Sequence, residues 1–252
     1  MIALSHASTV WHTVRPNLAW RRHSPARFAE VEDHRPLDLR LRNGRSVSLC
    51  GAVRAALNEI VLHRIYDVPG VVFRQCRQVF DLGADLGVFA AYIASESPHA
   101  RIDCFEASGR AFPLLQRNLA ANTRHARAHR MAVAATCGQQ RVAVTSDAYR
   151  SDDDIGDETE TVECTDLANA FVLTGVDTCD FLKMDMAGEE AAILQKTAFD
   201  VLRRVRVMAL KWNYAEEELP RTRLHLAAAG FKTMADYVGP GRRQIMLKAW
   251  QT

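Results

Sequence analysis

Val79-Phe80-Asp81-Leu82-Gly83-Ala84-Asp85-Leu86-Gly87 is the stretch whose reading decides the fold. The apolar residues of a short strand run into an acid and two glycines four positions apart, and residues 88–94 continue as a helix. Glycine permits a tight turn and lets a ligand approach the backbone. The start of the following helix favours a negatively charged ligand group. Glu106 stands 19 residues beyond Gly87, at the end of the next predicted strand. A carboxylate in that place can accept hydrogen bonds from both hydroxyls of a ribose.

The loop departs from the dinucleotide fingerprint. A G-x-G-x-x-G turn needs glycine where Asp85 stands, and an acid there repels phosphate. It suits a cationic ligand instead. S-adenosylmethionine carries a sulfonium, an amine, a carboxylate and a ribose, and no phosphate, so it fits better than a nicotinamide dinucleotide. The competing reading is a flavodoxin-like sheet with an incidental glycine turn.

Outward from this stretch, strands and helices alternate. Residues 102–106 read as a strand, 111–122 as a helix with Pro113 in its first turn, and 131–135 and 141–145 as strands. Residues 180–185 read as a buried strand, 189–196 as a helix and 205–210 as a strand. Pro220 and Gly230 bracket another helix, and 231–238 with 244–249 form a closing hairpin around Gly239-Pro240-Gly241. This alternation predicts an α/β fold, a parallel sheet wrapped by helices with an antiparallel last hairpin. Upstream, residues 36–42 alternate with period two, and Asn43-Gly44 turns them into 45–49 as a hairpin. Apolar residues at 53, 57, 60, 61 and 65 predict a helix over 53–66. Residues 1–34 are irregular, yet they carry Trp11, Trp20 and Phe28, which are costly to expose. We therefore expect residues 1–70 to be an arm, hairpin and helix packed on the domain formed by 71–252. The arm is a candidate homodimer contact.

The bulk properties narrow the function classes. The chain has 252 residues, 48% of them apolar and 25% charged, which is ordinary for one large globular domain. No run of 18 apolar residues reads as a membrane span. A net charge of +2 gives no reason to invoke nucleic acid. Residues 1–54 hold nine Arg against four acids, whereas 144–166 hold nine acids against Arg150 alone, so the two imbalances can cancel internally. The six cysteines are at least 15 residues apart, with no metal-ligand spacing, and read as buried thiols of a reducing compartment. The acidic run at 152–157 matches a calcium loop only loosely, because Gly156 falls where a ligand belongs. Residues 1–29 have transit-peptide composition, but Arg exceeds Lys along the whole chain, so the expectation is a cytoplasmic protein that uses no metal.

Taken together, the motifs resemble those of the FkbM-type methyltransferases over about residues 36–250. The first motif is Asp81-Leu-Gly83-Ala84-Asp85-Leu-Gly87. It is followed by Phe105-Glu106-Ala107 and by Leu115-Gln-Arg-Asn118-Leu-Ala-Ala-Asn122. The later one is Leu182-Lys183-Met184-Asp185-Met186-Ala187-Gly188-Glu189-Glu190, and Glu59, Tyr66 and Gly230-Phe231 also fit. The resemblance implies a Rossmann-like class I methyltransferase sheet using S-adenosylmethionine, releasing S-adenosylhomocysteine, and acting on a hydroxyl of a sugar or secondary metabolite. It implies that Asp81, Gly83, Asp85, Gly87, Glu106, Ala107, Met131 and Asp185 bind the cofactor. Five positions depart from the pattern: Asp85 stands for Asn, Ala107 for Pro, Ala187 for Glu, and Lys211 and Asn213, flanking Trp212, for the ends of Glu-x-His.

A hydroxyl acceptor needs a positioned base. Asp185, at a strand end, is the first candidate, with Glu59 behind it. Lys211 would serve as base or orient an anionic acceptor, and Trp212 and Asn213 are candidate acceptor contacts. Lys183, inside a buried strand, is expected to pair with a carboxylate. His63, His129 and His225 are expected at the surface. Three alternatives stay open: a cofactor-binding protein without turnover, methyl transfer to a carboxylate or other anionic acceptor, and a nicotinamide-dependent enzyme.

Overall fold

The computed structural model describes residues 15–16, 36–143, 159–186, 188–212, 217–238 and 244–251. The rest of the N-terminal arm, the acidic run at 152–157, Ala187, Asn213, Tyr214 and the turn at 239–243 lie outside them.

Seven strands make the central sheet: β4 (Gln78–Leu82), β5 (Arg101–Phe105), β6 (Ala126–His129), β10 (Cys179–Met184), β11 (Val205–Trp212), β12 (Phe231–Val238) and β13 (Gln244–Gln251). Their order is β12-β13-β11-β10-β4-β5-β6. β13 runs antiparallel to both of its neighbours, and the remaining pairs are parallel. This is the expected α/β sheet with an antiparallel last hairpin. The chain winds outward from β4 through β5 to β6, then resumes on the other side of β4 with β10. The strand order therefore reverses between β4 and β10, where sheets of this kind open a crevice at their C-terminal ends.

Both faces of the sheet are covered. On one, Val79 and Ile102 pack with helices α2 (Val88–Glu96) and α3 (Ala111–Asn122) and with Leu39, Leu49 and Leu57 of the N-terminal segment. On the other, Phe80, Leu182 and Met208 pack with α4 (Leu167–Thr174), α5 (Glu190–Lys196) and α7 (Glu218–Ala228). β4 and β10 are buried on both faces, which explains their nearly continuous apolar runs.

The predicted hairpin forms from β2 (Leu37–Arg40) and β3 (Ser46–Leu49), and β2 also pairs with β1 (Arg15–Pro16). Two asparagines of α3, one turn apart, satisfy the outer edge of β3 and the residue after it. Asn122 accepts from Ser48 N–H at 2.9 Å and donates to its carbonyl at 2.7 Å. Asn118 does the same for Cys50 at 2.7 and 3.0 Å, and also donates to Leu86 O at 2.7 Å. An i, i+4 pair on a helix thus stands in for a neighbouring strand.

The structure corrects several expectations. The helix expected over 53–66 is a single α-helical turn, α1 (Arg54–Leu57), followed by a π-turn (Asn58–Leu62). His63 N–H bonds Asn58 O at 2.9 Å, and Arg64 then takes φ +51° and ends the helix. Tertiary contacts of Glu59 and Tyr66 override the local propensity here. Of residues 131–135 only β7 (Ala132–Val133) is a strand, and it joins a separate sheet, β7-β9-β8, with β8 (Gly138–Ala143) and β9 (Thr159–Thr165). β6, β9 and α4 escaped the sequence reading. β6 is an edge strand whose inward positions are only Ala126 and Ala128, too small to mark a period. α4 did carry its signals, since Asp166 caps Asn169 N–H at 2.7 Å and Gly175 ends the helix at φ +66°. His129 is not a surface residue: its Nε2 lies 3.0 Å from the fully buried Asp103, and its ring stacks on Phe105 at 4.7 Å. Five cysteines are buried thiols, whereas Cys137 is exposed. No helix among the described residues is long and apolar enough to cross a membrane.

Asn118→Ala should lower stability by about 2–4 kcal/mol, because it strands buried Cys50 groups and the Leu86 carbonyl. Asn122→Ala, at the half-buried end of the ladder, should cost less. Urea unfolding of both variants checks the ranking.

Candidate functional site at the strand switch point

The crevice is built on a buried ion pair. Asp81 and Lys183 are register partners on β4 and β10. Asp81 is fully buried and Lys183 nearly so, and Lys183 Nζ lies 3.0 Å from Asp81 Oδ1. The ammonium directs hydrogen bonds to the carbonyls of Gly83 and Leu82. Among the described residues neither Asp81 oxygen has an aligned donor, so the pair is held by charge more than by hydrogen-bond geometry. Burial pushes the Asp81 carboxyl up, and Lys183 pulls it back only in part. Burial pulls Lys183 down, but the Asp81 and Asp185 charges outweigh it and leave the ammonium raised and protonated.

Above this pair runs the glycine loop. Gly83 takes φ +71°, Asp85 φ +46° and Gly87 φ +79°. Left-handed backbone is easy for glycine and uncommon for aspartate. Gly83 and Ala84 N–H groups both bond Phe105 O at 3.0 Å, which ties the loop to β5. Glu106 then clasps it: Oε2 accepts from Asp85 N–H at 2.7 Å and Oε1 from Ser108 N–H at 2.8 Å. Burial pushes the Glu106 carboxyl up, while these two backbone donors pull it down. A carboxylate has about four acceptor sites, so two remain for a ligand.

The loop after β10 lies against the first one. A Cβ built on Gly83 would stand 2.0 Å from the Asp185 carbonyl oxygen. The second loop is therefore the first obstacle that a side chain at Gly83 would meet. Glu190, which the motif contains but to which the sequence reading gave no role, braces that second loop. Its carboxylate accepts from Met186 N–H at 2.7 Å and Gly188 N–H at 3.1 Å, and burial pushes it up.

The three candidate bases converge. Lys211 Nζ lies 3.2 Å from Glu59 Oε2 and 4.0 Å from Asp185 Oδ2, and Tyr66 donates to Asp185 Oδ2 at 2.7 Å. The π-turn carries Glu59 to Lys211, and the chain just beyond it carries Tyr66 to Asp185. Lys211 was expected as a cation offered to an anionic acceptor, but its charge is engaged by carboxylates of this chain.

The other candidates scatter. Trp212 is 3% exposed, in the core with Met208 and Leu210, so it is core packing and no acceptor wall. Ala107 packs toward Ala134, Val162 and Cys164 of the smaller sheet. Met131 follows β6, half-buried against the core. Asp81 lies beneath the loop, with no surface of its own. Asn213 and Ala187 are outside the described residues. Among the described residues, the carboxylates of Asp81, Glu106, Asp185 and Glu59 stand with the ammoniums of Lys183 and Lys211, an excess of acid. No cluster of three metal-ligating side chains occurs among the described residues.

Known proteins share the fold and stretches of the sequence. Residues 69–145 match the family described as Methyltransferase small domain. The chain is 32% identical over 112 residues to the 31-O-demethyl-FK506 methyltransferase FkbM of Streptomyces tacrolimicus, covering 44% of this chain and 43% of that protein. It is 33% identical over 79 residues to the AMB antimetabolite synthetase AmbE of Pseudomonas aeruginosa, covering 31% of this chain and 4% of that protein. The chain thus spans less than half the length of these relatives. Among solved structures, Aeropyrum pernix fibrillarin in complex with natively bound S-adenosyl-L-methionine superposes with a TM-score of 0.51 at 15% identity, over 86% of this chain and 95% of that one. The fold is the Rossmann-like sheet of class I methyltransferases, and the chain resembles the FkbM-type members, as the motifs implied.

Gly83→Ala should lower stability by roughly 3 kcal/mol or more, since it combines a backbone collision with a left-handed φ. Gly44→Ala, at φ +80° with nothing within 4 Å of the added carbon, should cost only about 1 kcal/mol. Thermal melts of the two variants separate the collision from the strain.

Proposed function

We propose that this chain binds S-adenosylmethionine in the switch-point crevice and transfers its methyl group to a hydroxyl of a small molecule, a sugar or a secondary metabolite. The observation that carries the reading is Glu106. Its carboxylate is clasped by the glycine loop at the end of β5 and still has two acceptor sites for a ribose diol. The excess of acid around it favours a ligand of net positive charge and opposes a dinucleotide's phosphates. It also favours a hydroxyl acceptor over a carboxylate one.

When bound, the cofactor supplies a methyl group already activated on a sulfonium. The chain's own residues then have two tasks. The loops at Gly83 and Asp185 align the acceptor with that methyl carbon and exclude water. Asp185 would take the hydroxyl proton of the acceptor, while the methyl group and the sulfur leaving group would come from the bound cofactor. Glu59, held on Lys211, stands behind it as a second carboxylate.

A thermal-shift screen tests the reading directly. S-adenosylmethionine and S-adenosylhomocysteine should raise the melting temperature, and NAD should not. Stabilisation by NAD alone would overturn the assignment. Glu106→Ala should weaken S-adenosylmethionine binding about 10-fold or more, measured by calorimetry on the folded variant, because it removes charge-assisted hydrogen bonds. Unchanged affinity would place the ribose elsewhere.

A further inference from the structure

Asp185 ends the strand run of β10 with its side chain 29% exposed. Among the described residues its hydrogen bond and its ion pair both run through Oδ2, to Tyr66 at 2.7 Å and to Lys211 at 4.0 Å. Oδ1 takes part in neither contact. Tyr66 is itself a core residue, 2% exposed, with its ring edge-on to Phe89 at 5.4 Å and Lys183 Nζ 5.8 Å from its centroid. Such packing gives the ring no room to swing away. Burial first, and the Asp185 charge second, hold its phenol well above the usual range, so the hydroxyl remains a donor. A fixed donor and a fixed cation on one oxygen set the rotation of the carboxylate group.

From this geometry we propose that Tyr66 is a positioning residue: it holds Asp185 by Oδ2 and so fixes the carboxylate's other oxygen for the acceptor. The proposal rests on the methyltransferase reading and adds to it the device that orients the base. Besides Tyr66 and Lys211, the charges facing Asp185 are Lys183 from β10, Asp81 from β4, Glu190 from α5 and, through Lys211, Glu59. None of them changes when the Tyr66 hydroxyl is removed.

The acceptor is not needed for the test. Sinefungin carries an ammonium where S-adenosylmethionine carries its transferable methyl, and S-adenosylhomocysteine carries nothing there. Calorimetric titration of both ligands across the acidic to neutral range therefore reads the acceptor-side carboxylate as a preference for sinefungin. The wild-type chain should show that preference at neutral pH and lose it in acid. Asp185→Asn should abolish that preference, read as the ratio of the two affinities in the same variant. Tyr66→Phe keeps the ring and removes the hydroxyl. It should lower the preference for sinefungin at neutral pH by about 10-fold, with a smaller change in S-adenosylhomocysteine affinity. Incorporated 3-fluorotyrosine, a stronger donor of nearly the same shape, should keep the preference, and it serves even if Tyr66→Phe does not fold. A preference unchanged by Tyr66→Phe, lost with 3-fluorotyrosine, or surviving Asp185→Asn overturns the proposal. Failure of the wild-type chain to bind either ligand would instead remove the methyltransferase reading, and this inference with it.

Discussion

Asp81 and Lys183 sit side by side on adjacent parallel strands, inside the sheet, at the one place where the strand order reverses. An isolated charge at either position would be strongly destabilising, and the pair tolerates burial only because each member compensates the other. The ammonium also holds the carbonyls of Leu82 and Gly83, so the pair sets where β4 stops and how the glycine loop leaves it. Everything above it follows. Gly83 can approach Asp185 only because it has no side chain, and the two loops meet as one floor.

On that floor the polar groups fall into two sets with different tasks. Glu106 and Glu190 spend their carboxylates on backbone N–H groups, which fixes the two loops from opposite sides of the switch point. Asp185, Glu59, Lys211 and Tyr66 instead engage one another's side chains, and all but the buried Tyr66 keep part of their surface open. The first set gives rigidity, and in the proposed function the second gives the chemistry. A rigid frame suits that proposal, because methyl transfer to a hydroxyl would depend on alignment more than on any strong acid or base.

The N-terminal segment belongs to the site as much as to the fold. The β2–β3 hairpin is stapled to α3 by Asn118 and Asn122, and the chain that follows it passes over the crevice. The π-turn at 58–62 adds one residue to the helical circuit and so turns Glu59 toward Lys211. Glu59 and Tyr66 thus reach the crevice from outside the sheet-and-helix alternation, on a segment whose own propensity would have made a plain helix.

Some of this was legible in the amino-acid order. Period-two runs ending in glycine, helical spacing and the Pro220 and Gly230 brackets determine an α/β sheet with an antiparallel last hairpin, because strand and helix periodicities are local properties. The acid-and-glycine loop and Glu106 were legible as a candidate site for the same reason: loop chemistry is written in consecutive residues. The asparagines at 118 and 122 were visible as a motif but not as a staple, since their partners lie 68 to 74 residues away. β6 was invisible because an edge strand with alanines inward has almost no hydrophobic contrast. Only the tertiary structure decided that Trp212 is core, that His129 is tied to Asp103, and that Lys211 spends its charge on Glu59 and Asp185. Which face of β11 meets solvent, and which distant carboxylate meets which cation, depends on packing between segments far apart in the chain, and burial sets the strength of each such contact.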